Sequence, residues 1–345
     1  MTRLLTTADL NRTVLARQML LERSALPLHR VVERMAGVQA QYAPSAYIGL
    51  WSRAAGFHRE LLTSALERRS IVQATVMRGT IHLVSRADYW PLTEASRPAR
   101  QDSWIRTWGG NLDLAKIVGL AGELESLLAD GPMKRREIVA TLAITSEIWN
   151  GVVNWVDLVR VPPSGTWDSR RADLYGLASW WVGQSGSDSA SGRDLLVRRY
   201  LSGFGPASRQ DISAFTMLPL SQVDQILDRL RIRRFITAAG DELLDVPGAP
   251  IVEGDVGAPV RFIGHWDAIL LIHCRRADVL PEEHRTRIFH TKAPQSFATY
   301  LVDGRVRGTW RERDGQVELD EFEPIPRRFR SELAEERRQL EALLR

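Results

Sequence analysis

The stretch Ser208-Arg209-Gln210-Asp211-Ile212-Ser213-Ala214-Phe215-Thr216-Met217-Leu218-Pro219-Leu220-Ser221-Gln222-Val223-Asp224-Gln225-Ile226-Leu227-Asp228-Arg229-Leu230 decides how this chain folds. Ser208 is placed to cap a helix, and Asp211 three residues on can return a bond to the Ser208 backbone, a carboxylate variant of the capping box. Leu218-Pro219-Leu220 reads as a turn, because the residue before proline is steered out of the helical region. Ser221 is the expected cap of a second helix. Val223, Ile226, Leu227 and Leu230 recur at helical spacing and face a core, leaving Gln222, Gln225, Arg229 and Arg233 for the side that would meet a groove. Two β-rich runs follow, Phe235-Ile236-Thr237-Ala238 and Leu243-Leu244-Asp245-Val246, hinged at Ala239-Gly240-Asp241. Two helices, a turn and a hairpin make a winged helix-turn-helix.

Working outward, the same succession recurs twice. Residues 7 to 23 predict a helix capped by Thr7. A second follows Pro27 and is stopped by Gly37, whose freedom to take a left-handed backbone suits a helix end; the segment after Gly37 is not expected to be regular helix. A third runs from about His58 to Arg68, ahead of β-branched runs at 71–77 and 80–84 separated by Arg78-Gly79, which predict a hairpin. The second occurrence has a helix from near Asn111 to Leu128 ended by Gly131-Pro132, a helix over Lys134 to Leu142, a third over Ser146 to Trp155, and an extended Val156 to Val161. Residues 162–192, rich in Pro, Gly and Ser, read as an irregular linker. Asp303-Gly304 between apolar runs is a two-residue hairpin signal, and Arg327 to Arg345 predicts a charged amphipathic helix over the core. The fold class is therefore mainly α with small β-hairpins (α+β), built from three tandem winged helix-turn-helix motifs over residues 1–110, 111–200 (with the linker) and 201–345.

Composition limits the function classes. Of 345 residues 44% are apolar, too many for a disordered chain. No apolar run approaches the ~18 residues or more of a membrane helix. The start carries no apolar leader segment, and Cys274 stands alone, which excludes an internal disulfide and a multi-cysteine zinc site; a cytoplasmic location is expected. Net charge is +4, and Lys116, Lys134 and Lys292 are the only lysines, so the other 43 basic residues are arginines. Arginine forms bidentate contacts with phosphate and guanine, yet a GC-rich genome gives the same bias. The charge permits nucleic-acid binding without demanding it.

The sequence carries few conventional catalytic motifs. His265 and Asp267, or His284 and His290, do not make a metal motif, and nucleotide-binding and nucleophile signatures are missing, so neither metal nor cofactor is expected. What remains is Gly37-Val38-Gln39-Ala40-Gln41-Tyr42-Ala43-Pro44. In an extended backbone Gln39 and Gln41 point to one side, where two amides can hold a water but cannot take its proton. Equally, both can serve the open helix end and the turn before Pro44. Candidate DNA contacts are Arg78 and His82 in the first hairpin, Lys134, Arg135 and Arg136 at a helix start, and Arg305, Arg307 and Arg311 in the last hairpin. Each also reads as an ordinary surface charge or, for His82, a buried structural histidine. Trp104, Trp108, Trp149 and Trp155 are expected in the core or an interface.

Four runs, Val38-Gln39-Ala40-Gln41, Met77 to Val84, Gly205-Pro206-Ala207 and Val302 to Trp310, together resemble the AlkZ-like winged-helix DNA glycosylases, related to the YcaQ branch, over nearly the whole chain. The resemblance implies a C-shaped body of three winged-helix motifs. Its concave face would carry a glutamine-aliphatic-glutamine motif, matched by Gln39, Ala40 and Gln41, that positions the hydrolytic water. The YcaQ branch has aspartate where this chain has Gln41, which aligns it with the AlkZ-like branch associated with self-resistance to alkylating natural products. The implied activity is that of a monofunctional glycosylase acting on alkylated purines in double-stranded DNA (N7-alkylguanine, N3-alkyladenine, bulky adducts or interstrand crosslinks) as a monomer. The alternatives are a non-enzymatic winged-helix DNA-binding regulator and a protein that sequesters modified DNA without turnover.

Overall fold

A computed structural model describes residues 3–108, 113–271, 278–290 and 295–345. Cys274, Lys292 and the predicted helix start at Asn111 lie outside the described residues. The first part runs β1 (Arg3–Leu5), α1 (Thr7–Arg17), α2 (Leu28–Arg34), β2 (Val38–Gln39), α3 (Ala43–Trp51), α4 (Arg59–Glu67), β3 (Ile71–Thr75), β4 (Ile81–Ser85) and α5 (Arg86–Trp108). The second has α6 (Leu114–Leu127), β5 (Met133–Lys134), α7 (Arg135–Thr141), α8 (Ser146–Val152), β6 (Leu158–Arg160), β7 (Leu174–Leu177) and α9 (Ala178–Trp181). Then follow α10 (Ser189–Phe204), α11 (Arg209–Thr216), α12 (Leu220–Arg229), β8 (Arg233–Thr237), β9 (Glu242–Asp245) and β10 (Arg261–Ile263). The last part holds α13 (Arg285–Ile288), β11 (Phe289–His290), β12 (Gln295–Ser296), β13 (Thr299–Val302), β14 (Arg305–Arg313), β15 (Gln316–Glu321) and α14 (Arg330–Leu344). The architecture is mixed α+β, as the composition of elements predicts.

The sheet that matters for function has the order β2-β4-β3-β6-β7-β5 and is antiparallel throughout. It joins the hairpins of the first two segments into one platform, with Val38–Gln39 at its edge. The third hairpin, β8-β9, takes β1 as a parallel neighbour with Leu4 opposite Ile236. Arg17 then reaches across to Asp245, donating from both terminal nitrogens at 2.8 Å with both groups fully buried. The first residues of the chain are thus tied to the β8-β9 hairpin.

Several local expectations need correction. Thr6, not Thr7, caps α1 in a capping box with Asp9, and the helix ends at Arg17 because Met19 turns left-handed; Leu20 and Leu21 belong to the loop beyond. Gly37 does stop α2, at φ +84°, but a regular helix, α3, follows soon after, buried at every residue. Ser221 is not a cap: α12 starts one residue earlier behind Pro219. The linker at 162–192 contains β7 and α9, and α10 begins inside it. The 23-residue helix α5 was not expected, since it carries Pro91 and Pro98. It forms because α10 packs along it so closely that a Cβ on Gly192 would sit 2.3 Å from the Pro91 carbonyl oxygen. Tertiary packing of this kind outweighs the backbone bonds the prolines remove. In α12, Arg229 is paired with Asp194, and Arg233 beyond it with Asp245, so only Gln222 and Gln225 of that predicted face stay uncommitted.

Candidate active site

Edge strand β2 sets Gln39 opposite His82, and Ala40 continues the pairing by donating its N–H to the Ile81 carbonyl at 2.8 Å. Gln39 and His82 therefore share one face of the sheet. Gln41 lies past the strand end, exposed, where its Oε1 accepts the Ile81 N–H at 2.8 Å. The Gln39 Oε1 accepts from Arg78 Nη2 at 3.3 Å. Each amide oxygen thus has one lone pair used by the protein and keeps one, together with both amide hydrogens.

Arg78 holds this arrangement together. It sits in the tight turn between β3 and β4 with φ +53°, a left-handed backbone that a non-glycine residue adopts at a cost. Its guanidinium lies over the Phe215 ring, 4.7 Å from the centroid, and Nη2 also reaches His82 Nε2 at 3.4 Å. The other ring nitrogen, Nδ1, lies 3.0 Å from the Thr80 carbonyl, so the neutral imidazole donates from Nδ1 and accepts at Nε2. Burial, and then the Arg78 charge, push His82 down to about 3. Burial likewise lowers Arg78 to about 10, still protonated at neutral pH. His82 is therefore a fixed neutral acceptor, not a proton donor.

Gln41, Arg78 and Ile81 open onto a cavity of about 600 Å³ between the sheet, α5 and α8. Of the other predicted contacts, Arg135 lines this cavity, donating to Ser146 at 3.2 Å and lying over the Trp149 ring. Lys134 is exposed and does not line it. Arg307 is paired with Glu323 and Arg311 with Glu318, and neither they nor Arg305 line it. Trp104 and Trp149 are buried as expected, whereas Trp108 is 53% exposed on the cavity wall. Sequence reasoning missed Arg100 and Arg160, which also line the cavity. For Arg160 a clue was available, since it ends the apolar run Leu158-Val159; for Arg100 there was none, since the face of α5 around it also carries Thr93 and Ser96. The carboxylate lining the cavity among the described residues, Asp157, is clamped by Arg97 at 2.8 Å.

Glu283, His284 and Glu323 cluster elsewhere, but the Glu323 oxygens already serve His284 and Arg307. Among the described residues no helix is long and apolar enough to cross a membrane.

A family model described as DNA glycosylase AlkZ-like matches residues 32–343. The chain is similar to an interstrand DNA cross-link repair glycosylase of Streptomyces sahachiroi, 25% identical over 337 residues that cover 89% of this chain and 88% of that protein. The solved structure of the Streptomyces sahachiroi DNA glycosylase AlkZ has the same fold, with TM-score 0.81 at 20% identity over 99% of this chain and 97% of the other. A purely regulatory role is not favoured by these findings. With the match spanning the glutamine pair, the sheet that carries it and the terminal helix, the chain belongs to the AlkZ-like family of DNA glycosylases and is an enzyme.

Proposed function

We propose that this enzyme hydrolyses the N-glycosidic bond of alkylated purines in duplex DNA, N7-alkylguanine and N3-alkyladenine among them, with Gln39 and Gln41 placing the water. Bulky natural-product adducts and interstrand crosslinks are included, in keeping with the name of the Streptomyces sahachiroi relative, and the role is DNA repair or self-resistance. The body is read as three winged-helix units in a C around the duplex, acting as a monomer.

One observation supports the reading: among the described residues, the surroundings of the two glutamines, of which Gln41 opens onto the cavity and Gln39 lies under Arg78, offer no proton donor matched to neutral pH. His82 stays neutral down to about 3, and Asp157 is bound to Arg97. A neutral base is a poor leaving group and needs an acid that protonates it or donors that hold it as an anion. An N7- or N3-alkylated purine already carries its positive charge, so the C1′–N bond breaks with its electron pair passing to the base, which departs neutral. Water oxygen bonds to C1′ and gives its proton to solvent. The lone pair left on each amide oxygen can orient that water and stabilise the cationic sugar.

The test is base release, followed by mass spectrometry, from duplexes carrying N7-methylguanine, uracil or 8-oxoguanine. Release of the methylated base alone, with the strand intact until alkali is added, is expected. Release of uracil or 8-oxoguanine would overturn the reading.

A further inference from the structure

Five arginines are buried among the described residues: Arg17, Arg53, Arg100, Arg160 and Arg261. Arg17 is bound to Asp245, Arg53 to Asp267 and Arg261 to Glu336. Arg100 and Arg160 form no ion pair, since Asp157 on the same cavity is clamped by Arg97 and acts on Arg100 only at longer range, and both line the cavity beside Gln41. They are 6% and 7% exposed, and the Nε of each is buried without a hydrogen-bond partner. Arg100 donates only to the Thr75 carbonyl, at 2.8 Å, and Arg160 lies 5.0 Å from the centre of the Tyr175 ring. Arg78 adds a third guanidinium on the same wall, again with no carboxylate and with Nη1 buried and unpaired. Arg135 supplies a fourth.

A buried cation without a counter-ion costs free energy, and this chain pays for its other buried arginines with carboxylates. Concentrating the exceptions at one cavity leaves a positive recess shaped for an anion. The recess does not suit the alkylated base. That base is cationic and would be repelled, and the guanidiniums of Arg135 and Arg160 already cover the Trp149 and Tyr175 rings that would otherwise stack on it.

We propose that this cavity is a phosphodiester subsite, in which Arg100 and Arg160 hold a backbone phosphate flanking the lesion and so present the adjoining C1′ to Gln41. Arg78 links the two functions, since it touches both the cavity and the Gln39 oxygen. It is a positioning residue, and so are Arg100 and Arg160. The proposal rests on the glycosylase reading above for what the anchored nucleotide is, but its test does not need turnover.

The full-length protein is titrated with duplexes containing a tetrahydrofuran abasic analogue, in which the phosphates on either side are native or replaced one at a time by neutral methylphosphonate. Binding is read by fluorescence anisotropy for wild type, Arg160→Gln, Arg100→Gln and Arg160→Lys. One methylphosphonate should weaken wild-type binding about tenfold and Arg160→Gln less than about twofold, because the variant no longer gains from that charge. The slope of log K against log salt should flatten by about 0.9 in Arg160→Gln, the change expected for one lost phosphate contact, and recover in Arg160→Lys. Should Arg160→Gln or Arg100→Gln lose its cooperative melt, the comparison is read in Arg135→Gln, whose side chain is only half-buried. Equal sensitivity of wild type and variants to every methylphosphonate, or unchanged salt slopes, overturns the proposal. Failure to release any alkylated base would instead count against the glycosylase chemistry and leave these binding results standing.

Discussion

Acidification should destabilise this protein through one histidine. His82 is 2% exposed and held near 3 by burial and by Arg78, against 6.5 for a free imidazole. A group depressed in this way leaves stability whole above the unfolded value and removes it as pH falls, because the unfolded chain then binds a proton that the folded chain refuses. At about pH 5 the unfolded imidazole is almost fully protonated and the folded one is not, and the difference amounts to about 2 kcal/mol. His82→Gln keeps an acceptor for Arg78 and cannot titrate in this range. Urea melts of both proteins at about pH 7.5 and about pH 5 isolate the effect: wild type should lose about 2 kcal/mol more than the variant between the two conditions. Equal losses in the two proteins would refute the neutral, buried His82. The same reasoning predicts a base-release rate with no inflection near pH 6.5 arising from His82.

Gly192→Ala places a methyl group against the Pro91 carbonyl, and wedging α10 from α5 should cost about 1–3 kcal/mol in a denaturant melt. Asp245→Asn leaves Arg17 buried without its counter-charge and should cost about 3–5 kcal/mol, read in the same way. A loss of under about 0.5 kcal/mol in either variant would mean that the contact does not bear on stability.

The parts of the fold written in local chemistry were legible. Ser208 and Asp211 do form the box that opens α11, and Asp303-Gly304 does turn β13 into β14. Elements governed by tertiary packing were not. Helix α3 is apolar on all sides, so it shows no stripe, and α5 hides behind two prolines that α10 overrides. At the site, the two glutamines were legible as neighbours, but their inequality was not: one sits on a strand edge under Arg78, the other beyond it with its oxygen on Ile81. Arg100 and Arg160 could not be brought together from sequence, because only the strand order β4-β3-β6-β7 sets Arg160 opposite Gln73 and Tyr175, beside the turn that carries Arg78.

The central claim is that Gln39 and Gln41 act on the reacting sugar and not on DNA affinity. Single-turnover release of N7-methylguanine, measured beside affinity for the abasic-analogue duplex, tests it most directly. Gln39→Ala and Gln41→Ala should each slow release by about 10- to 1,000-fold, the range for losing a positioned dipole at a developing charge, with affinity within about threefold of wild type (under ~1 kcal/mol). Release at the wild-type rate from either variant, or a rate loss matched by an equal loss of affinity, would contradict the account.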